Sequence, residues 1–194
     1  MERTMIHLLG SPGVGKYTIG REVARLIGAR LIDNHSIANV IFNVINPDGV
    51  TPLPPAIWPR VGKVRAAVLD TICNVAPRES SFVFTNYMDG NTPSEDAVFA
   101  EFIALADARG STFVPVMLVC ETTELVRRIA GEDRRQRMKL VDPIEGARIN
   151  DAEHPFVTTH PNALTLDVTH VPAPASAKAI VAWANRCREA GGIV

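Results

Sequence analysis

The sequence predicts a three-layer α/β fold, a five-stranded parallel sheet with helices on both faces, and three observations carry that expectation. Short apolar runs recur near 5–9, 30–33, 81–86, 112–120 and 163–168, each separated from the next by stretches with apolar residues at helical spacing. The first run leads into a glycine loop that ends in lysine and opens a helix. At 194 residues, 46% of them hydrophobic, the chain is long enough for one such domain with a sizeable core.

Taken in order, Met5, Ile6, Leu8 and Leu9 read as a buried parallel strand. After the loop Gly10-Ser11-Pro12-Gly13-Val14-Gly15-Lys16, residues Ile19, Val23, Leu26 and Ile27 recur on one helical face, and Gly28 stops that helix. Residues 30–33 form a second strand, followed by a helix on which Ile37, Val40, Ile41, Val44 and Ile45 make the expected apolar stripe. Residues 46–59 hold five prolines and a glycine and are expected to be a mobile loop. Val61, Val64, Val68, Ile72 and Val75 mark the next helix, and 81–86 is a strand rich in β-branched and aromatic residues.

Thr92-Pro93-Ser94-Glu95 has the form of a capping box with proline at the first helical position. The helix it opens carries Val98, Phe102 and Leu105 and closes at Gly110. A fourth strand (112–120), a short helix (122–129) and a charged stretch (131–139) follow. Asp142-Pro143-Ile144-Glu145 begins another helix, and 163–168 is the fifth strand. A last helix (174–190) aligns Ile180, Trp183 and Cys187.

A net charge of −1 gives no electrostatic case for a nucleic-acid or acidic-membrane partner. Cys73, Cys120 and Cys187 lie far apart in apolar contexts and read as reduced core residues of a cytoplasmic protein. The apolar run at the N-terminus is too short for a signal peptide, and no stretch approaches a membrane span. The expected form is a monomer or homodimer acting on a small-molecule substrate.

The glycine loop carries the chemistry. Glycines let successive backbone N–H groups turn inward around a polyphosphate, and the following helix adds its free N–H groups and the positive end of its dipole. Strand, glycine loop and helix in this order form the context of a P-loop, so Gly10, Ser11, Pro12, Gly13, Val14, Gly15, Lys16, Tyr17 and Thr18 are the expected nucleotide-binding residues. Lys16 supplies a mobile charge for the β- and γ-phosphates. Tyr17 stands where serine or threonine normally ligates magnesium; a phenol sits too far from the backbone for that position, and Thr18 is the nearest alternative hydroxyl.

In an open α/β sheet ligands gather at the carboxyl ends of the strands, which selects Gly10 to Lys16, Asp33 to His35, Asn86 to Asp89 and Glu121. Asp33 could orient a metal or an acceptor hydroxyl, although aspartate also favours helix N-caps. His35 and Asn86 are substrate-contact candidates, as is Arg148 on the helix opened by Asp142. The third strand ends Thr85-Asn86, without the aspartate that often completes a magnesium site; Asp89 comes three residues late. Arg127, Arg128, Arg134, Arg135, Arg137 and Lys139 crowd six cations into thirteen residues, with Glu132 and Asp133 among them, and read as an anion-binding lid over about 130–142. Arg60, Lys63 and Arg65 form a weaker basic group that reads as a solvated face.

The stretch GSPGVGKYTIGREVARLIGARLID resembles the opening of shikimate kinase and its relatives among the small P-loop kinases (adenylate, gluconate and chloramphenicol kinases). The Arg-rich lid and the final strand LTLDVT leading into a helix extend the resemblance in outline to the whole chain. It implies the three-layer P-loop NTPase fold, ATP with Mg2+, and an adenine-contacting loop at 170–173 that includes Pro172. It also implies lid arginines seven apart, matched by Arg127 with Arg134 or Arg128 with Arg135. Shikimate kinase has two aspartates separated by one residue after its second strand; here the second is replaced by His35, and the glycine-rich substrate motif after the third strand is Thr85-Asn86-Tyr87-Met88-Asp89-Gly90 instead. The resemblance therefore implies phosphoryl transfer without implying shikimate.

The expected function is an ATP-dependent kinase of a small-molecule or nucleoside-type hydroxyl. Lys16, Asp33 and Arg134 would be catalytic, Arg128 would bind nucleotide, and Thr18 and Asp33 would face the metal. The competing reading is a nucleotide-binding protein with weak transfer. A GTPase or a motor is not expected, given the missing Asn-Lys-x-Asp signature, the missing Asp-Glu strand end and too little chain for a motor's second domain.

Overall fold

The computed structural model describes residues 1–131, 134, 138–151 and 156–191. Its strands are β1 (Thr4–Leu9), β2 (Arg30–Asp33), β3 (Phe82–Thr85), β4 (Thr112–Val119) and β5 (Leu164–Asp167). Its helices are α1 (Lys16–Ile27), α2 (Asn34–Ile45), α3 (Trp58–Asn74), α4 (Pro93–Arg109), α5 (Thr122–Ile129), α6 (Pro143–Asp151) and α7 (Ala173–Ala190). The strands run in the order β2-β3-β1-β4-β5, and every neighbouring pair is parallel. The expected three-layer architecture is the observed one.

Side-chain alternation sorts β1 into two cores. Ile6 and Leu8 join Val83, Val114 and Val116 against Val23 of α1 and Ile180 of α7. Met5 and Leu9 join Phe82, Phe84 and Phe113 against Leu69 of α3 and Phe102 of α4. Gly20 lets α1 sit close to the sheet: a Cβ there would lie 3.1 Å from Leu31 Cδ1 and 3.4 Å from Leu8 Cδ1. The buried guanidinium of Arg109 donates to the carbonyls of Ile72, Ala76 and Pro77, placing a cation on the negative end of α3.

Three expectations are corrected. The stripe expected on α2 is buried only in part: Ile37 is buried and Ile41 packs against a small cluster, but Val40 and Val44 are 55% and 82% exposed, while Ala38 and Phe42, outside the expected stripe, are buried. The helix carries apolar residues on more than one face, and its neighbours choose between them. Ala38 and Phe42 pack with Ile57, Val61 and Met138 in a small separate cluster. The 46–59 segment is partly ordered, with a 3-10 turn at Pro55–Ile57 and α3 already begun at Trp58. Thr92 caps α4 without a side-chain bond, because its hydroxyl donates to Asp89 Oδ2 at 3.2 Å, a local alternative of the kind that competes with capping. Asp142, by contrast, accepts from the backbone N–H groups of Ile144 and Glu145 as expected.

All three cysteines are free, and Cys120 and Cys187 are buried. Among the described residues no helix is long and apolar enough to cross a membrane.

His7, fully buried in the middle of β1, lies 4.2 Å from Phe102 between ring centroids and within about 6 Å of Phe84, Phe99 and Phe113. Its Nε2 bonds Asn86 Oδ1 at 3.0 Å, and with Nε2 as donor the ring is neutral. Burial pushes its pKa down from 6.5 to about 4, against a smaller upward pull from Asn86. A value below that of the unfolded chain means the unfolded state takes up the proton first as pH falls. The contribution of His7 to stability is therefore complete above pH 6.5 and disappears on the way to about 4. Between pH 7 and 5 the loss is about 2 kcal/mol. We expect the urea midpoint to fall over that interval and His7→Phe to flatten the slope. An unchanged slope in the variant would show that His7 does not carry it.

Candidate active site

The glycine loop leaves the carboxyl end of β1, where the chain crosses to opposite sides of the sheet. Gly10, Gly13 and Gly15 have φ of 136°, 97° and 108°, in the region that side-chain-bearing residues rarely adopt. Gly13 is also closely packed: a Cβ there would lie 2.7 Å from Ile129 Cγ1. Val14 N–H bonds Ser11 O at 3.3 Å, which closes the turn through Pro12. Gly15 caps α1 without a side chain, so the helix N-terminus meets the loop through backbone alone. Lys16 Nζ donates to Gly10 O at 2.5 Å and Ser11 O at 2.9 Å, holding the ammonium against the loop.

Sheet register puts Asp33 at the same level. Asp33 pairs with Thr85, and Thr85 with Leu8, so the carboxylate stands two strand spacings, about 10 Å, from the start of the loop. Asp33 occupies the N-cap position of α2 but makes no side-chain cap. Its Oδ1 instead accepts the Thr85 hydroxyl at 2.6 Å, and Thr85 in turn accepts Asn34 N–H at 3.2 Å. Its Oδ2 lies 3.6 Å from Lys139 Nζ. His35 bonds Asn39 Oδ1 through Nδ1 at 3.3 Å. Its pKa is pushed down to about 4, first by burial and then by the charge of Lys139, with Asp33 opposing and Lys16 adding a little. The electrostatics of one imidazole thus register Lys16, Asp33 and Lys139 together.

Asn86 follows β3 and is half-buried, and its carboxamide oxygen accepts from His7 Nε2 in the core. Asp89 is used locally, its carboxylate accepting from Asn91 N–H and the Thr92 hydroxyl. Arg148 is 63% exposed and bonds Glu145 through two bonds of 2.7 Å, a pair one helical turn apart on α6. Arg65 pairs with Glu101 and Arg60 donates to Ala56 O, in keeping with a solvated face.

Arg128 stitches the nucleotide side together. Its guanidinium donates to Val14 O at 3.0 Å, to Val168 O at 2.8 Å and to Thr169 O at 2.7 Å, tying the glycine loop to the β5–α7 turn that contains Pro172, the N-cap of α7. Glu124 pairs with both Arg127 and Arg128, whose hydrogen bonds hold its carboxyl down at about 2. The arginine cluster is thus partly neutralised by a carboxylate upstream of it. Arg127 is 73% exposed, which leaves Arg128 as the inward member. Arg134 donates through Nε to Leu140 O at 3.0 Å. Arg135 and Arg137, with Glu132 and Asp133, lie outside the described residues.

The donor set fits a protein-held magnesium ion poorly. Tyr17 places a phenol at the usual ligand position; Thr18 is exposed on α1, about 100° around the helix from it. Asp33 is already engaged by a hydroxyl and an ammonium. Among the described residues no group of three His, Cys, Asp or Glu is placed to hold a metal.

Glu124 is a residue that sequence reasoning did not single out; Lys139 was read only as one cation of the lid, and Thr85 only as the end of the third strand, without their bonds to Asp33.

No family model and no curated protein matches this chain at the level of sequence. Solved structures do. A candidate kinase from Chloroflexus aurantiacus superposes with a TM-score of 0.66 at 18% identity, covering 99% of this chain and 100% of that one. A gluconokinase from Sinorhizobium meliloti gives 0.58 at 16%, covering 97% and 95%. Shikimate kinase from Acinetobacter baumannii, solved with shikimate, gives 0.53 at 18%, covering 95% and 94%. The chain has the fold of the P-loop small-molecule kinases.

Proposed function

We propose that this protein is an ATP-dependent phosphotransferase acting on a hydroxyl of a small molecule. The observation that carries the reading is the facing pair built on one sheet edge: a glycine cradle closed by Lys16, and Asp33 two strands away. Loop amides and the α1 N-terminus would hold the phosphates, and Lys16 would move from its loop carbonyls onto the β- and γ-oxygens. Arg128, between the loop and the turn at Pro172, would fix the nucleotide end. Asp33 would orient the acceptor hydroxyl for in-line attack and take its proton as the bond forms. Arg134 of the lid would neutralise charge on the transferring group. Magnesium would arrive on the nucleotide's own phosphates, as part of the substrate.

His35 is neutral at pH 7, and with its proton on Nδ1 its Nε2 can accept a bond from the substrate. The acceptor would lie among α2, the 46–59 segment and the 86–90 loop. Tyr17 at the metal-ligand position favours one other reading, a nucleotide-binding protein with weak transfer. Incubation with γ-labelled ATP and a panel of sugars, sugar acids and nucleosides separates the two. Label on an acceptor supports the kinase; ATP binding without transfer to any member of the panel supports the alternative.

A further inference from the structure

The sequence departs from the P-loop pattern at Tyr17, and the structure puts an unexpected cation there. The Lys139 ammonium lies 4.7 Å from the centroid of the Tyr17 ring and 3.6 Å from Asp33 Oδ2. Both partners of the ion pair are nearly buried, with side-chain exposures of 13% for Lys139 and 10% for Asp33. Burying two charges this far is costly unless their arrangement is used.

The backbone aims Lys139 at this point. Met138 has φ of 52°, a left-handed turn that packs its side chain on Phe42 and Ile57 while the chain reverses. Lys139 N–H bonds Arg134 O at 3.1 Å. Two residues on, Val141 N–H bonds Gly49 O at 3.2 Å, fastening the returning lid segment to the 46–59 loop. Gly49, with φ of 80°, allows the approach: a Cβ there would lie 3.0 Å from Lys139 O.

We propose that the Lys139 ammonium is the protein's own cation in this site, seated on the Tyr17 ring and paired with Asp33 where a conventional P-loop kinase would offer magnesium its ligands. The phenol that cannot ligate a metal is a good face for an ammonium. Asp33, lacking a second carboxylate or a serine to share a metal with, is charge-matched by one lysine. When ATP enters, Lys139 and Lys16 flank the β- and γ-phosphates from the lid side and the loop side. The metal on the nucleotide then needs no protein ligand. This rests on the glycine loop being the ATP site.

The test is calorimetric titration of ATP in magnesium and in EDTA, for the wild type and for Lys139→Met, Lys139→Arg and Tyr17→Leu. The wild type should bind ATP with an affinity that changes by no more than about threefold on removing magnesium. Lys139→Met, which keeps the stem but loses the charge, should weaken binding in EDTA by about tenfold and much less in magnesium, the loss of one charge-assisted contact. Lys139→Arg should keep the wild-type ratio, and Tyr17→Leu should shift it in the direction of Lys139→Met while leaving the lysine in place. A ratio that is the same in all four proteins overturns the proposal and leaves the ATP site standing. Tighter binding by Lys139→Met in both buffers also overturns it, because Lys139 would then be an obstruction. No binding of ATP by the wild type in either buffer overturns the site itself.

Discussion

Lys16→Ala is expected to weaken ATP binding by about 100-fold with the fold retained. The ammonium donates to two loop carbonyls, Gly10 O and Ser11 O, and Lys16 is half-buried. Its removal leaves the carbonyls of Gly10, which is buried, and of Ser11 without this donor, a loss of the size of one or two hydrogen bonds, so the thermal midpoint should fall by several degrees. Against a nucleotide the loss is larger. Two charge-assisted bonds to phosphate oxygens amount to about 3 kcal/mol, or roughly 100-fold in Kd. The glycine amides and the α1 N-terminus remain, so residual binding should persist at high ATP concentration. Titration of wild type and variant by calorimetry, beside a melting curve for each, reads both quantities. Unchanged affinity in a folded variant would remove the phosphate-loop assignment.

What made that loop legible is local. Three glycines at this spacing permit the left-handed backbone that the loop adopts, and the flanking strand and helix are visible as periodicity in the residues themselves. The five strands were legible for the same reason, being short apolar runs bounded by turns. Where the sequence reading failed, the deciding partner was distant in the chain. The bond between Asn86, which follows β3, and His7, 79 residues earlier, had no local signal in the sequence. The α2 stripe held only in part, because Ile57 and Met138, outside the helix, determine which face of an apolar helix is covered.

The arginine cluster shows the same limit within a few residues. Six cations between 127 and 139 look unbalanced until Glu124, one turn earlier, is found paired with two of them. Arg128 was separable from Arg127 only by the carbonyls it reaches, at Val14, Val168 and Thr169, and these meet only in the folded chain. Tyr17 was the most informative misfit. A sequence breaks a local rule most often where a site has been rebuilt, and here the aromatic ring and Lys139 come together across more than a hundred residues.

Asp33→Asn should reduce phosphoryl transfer by about 100-fold while changing ATP affinity by less than threefold. The asparagine oxygen can still accept the Thr85 hydroxyl, so the end of β2 and the start of α2 keep their geometry. Two things change. The acceptor hydroxyl loses the group proposed to orient it and take its proton, and Lys139 loses its counter-charge. A phosphoryl-transfer transition state demands position more than basicity, so the first loss should appear in kcat. The second acts on the lid: a nearly buried ammonium that has lost the Asp33 charge and keeps the Tyr17 ring is less firmly held, and KM for the acceptor should rise modestly. A drop in ATP affinity as large as the drop in kcat would instead place Asp33 on the nucleotide, as a metal-holding carboxylate would be. The ratio of the two effects, measured with the acceptor found in the labelling panel, therefore decides between an acceptor-side role for Asp33 and a metal-side one.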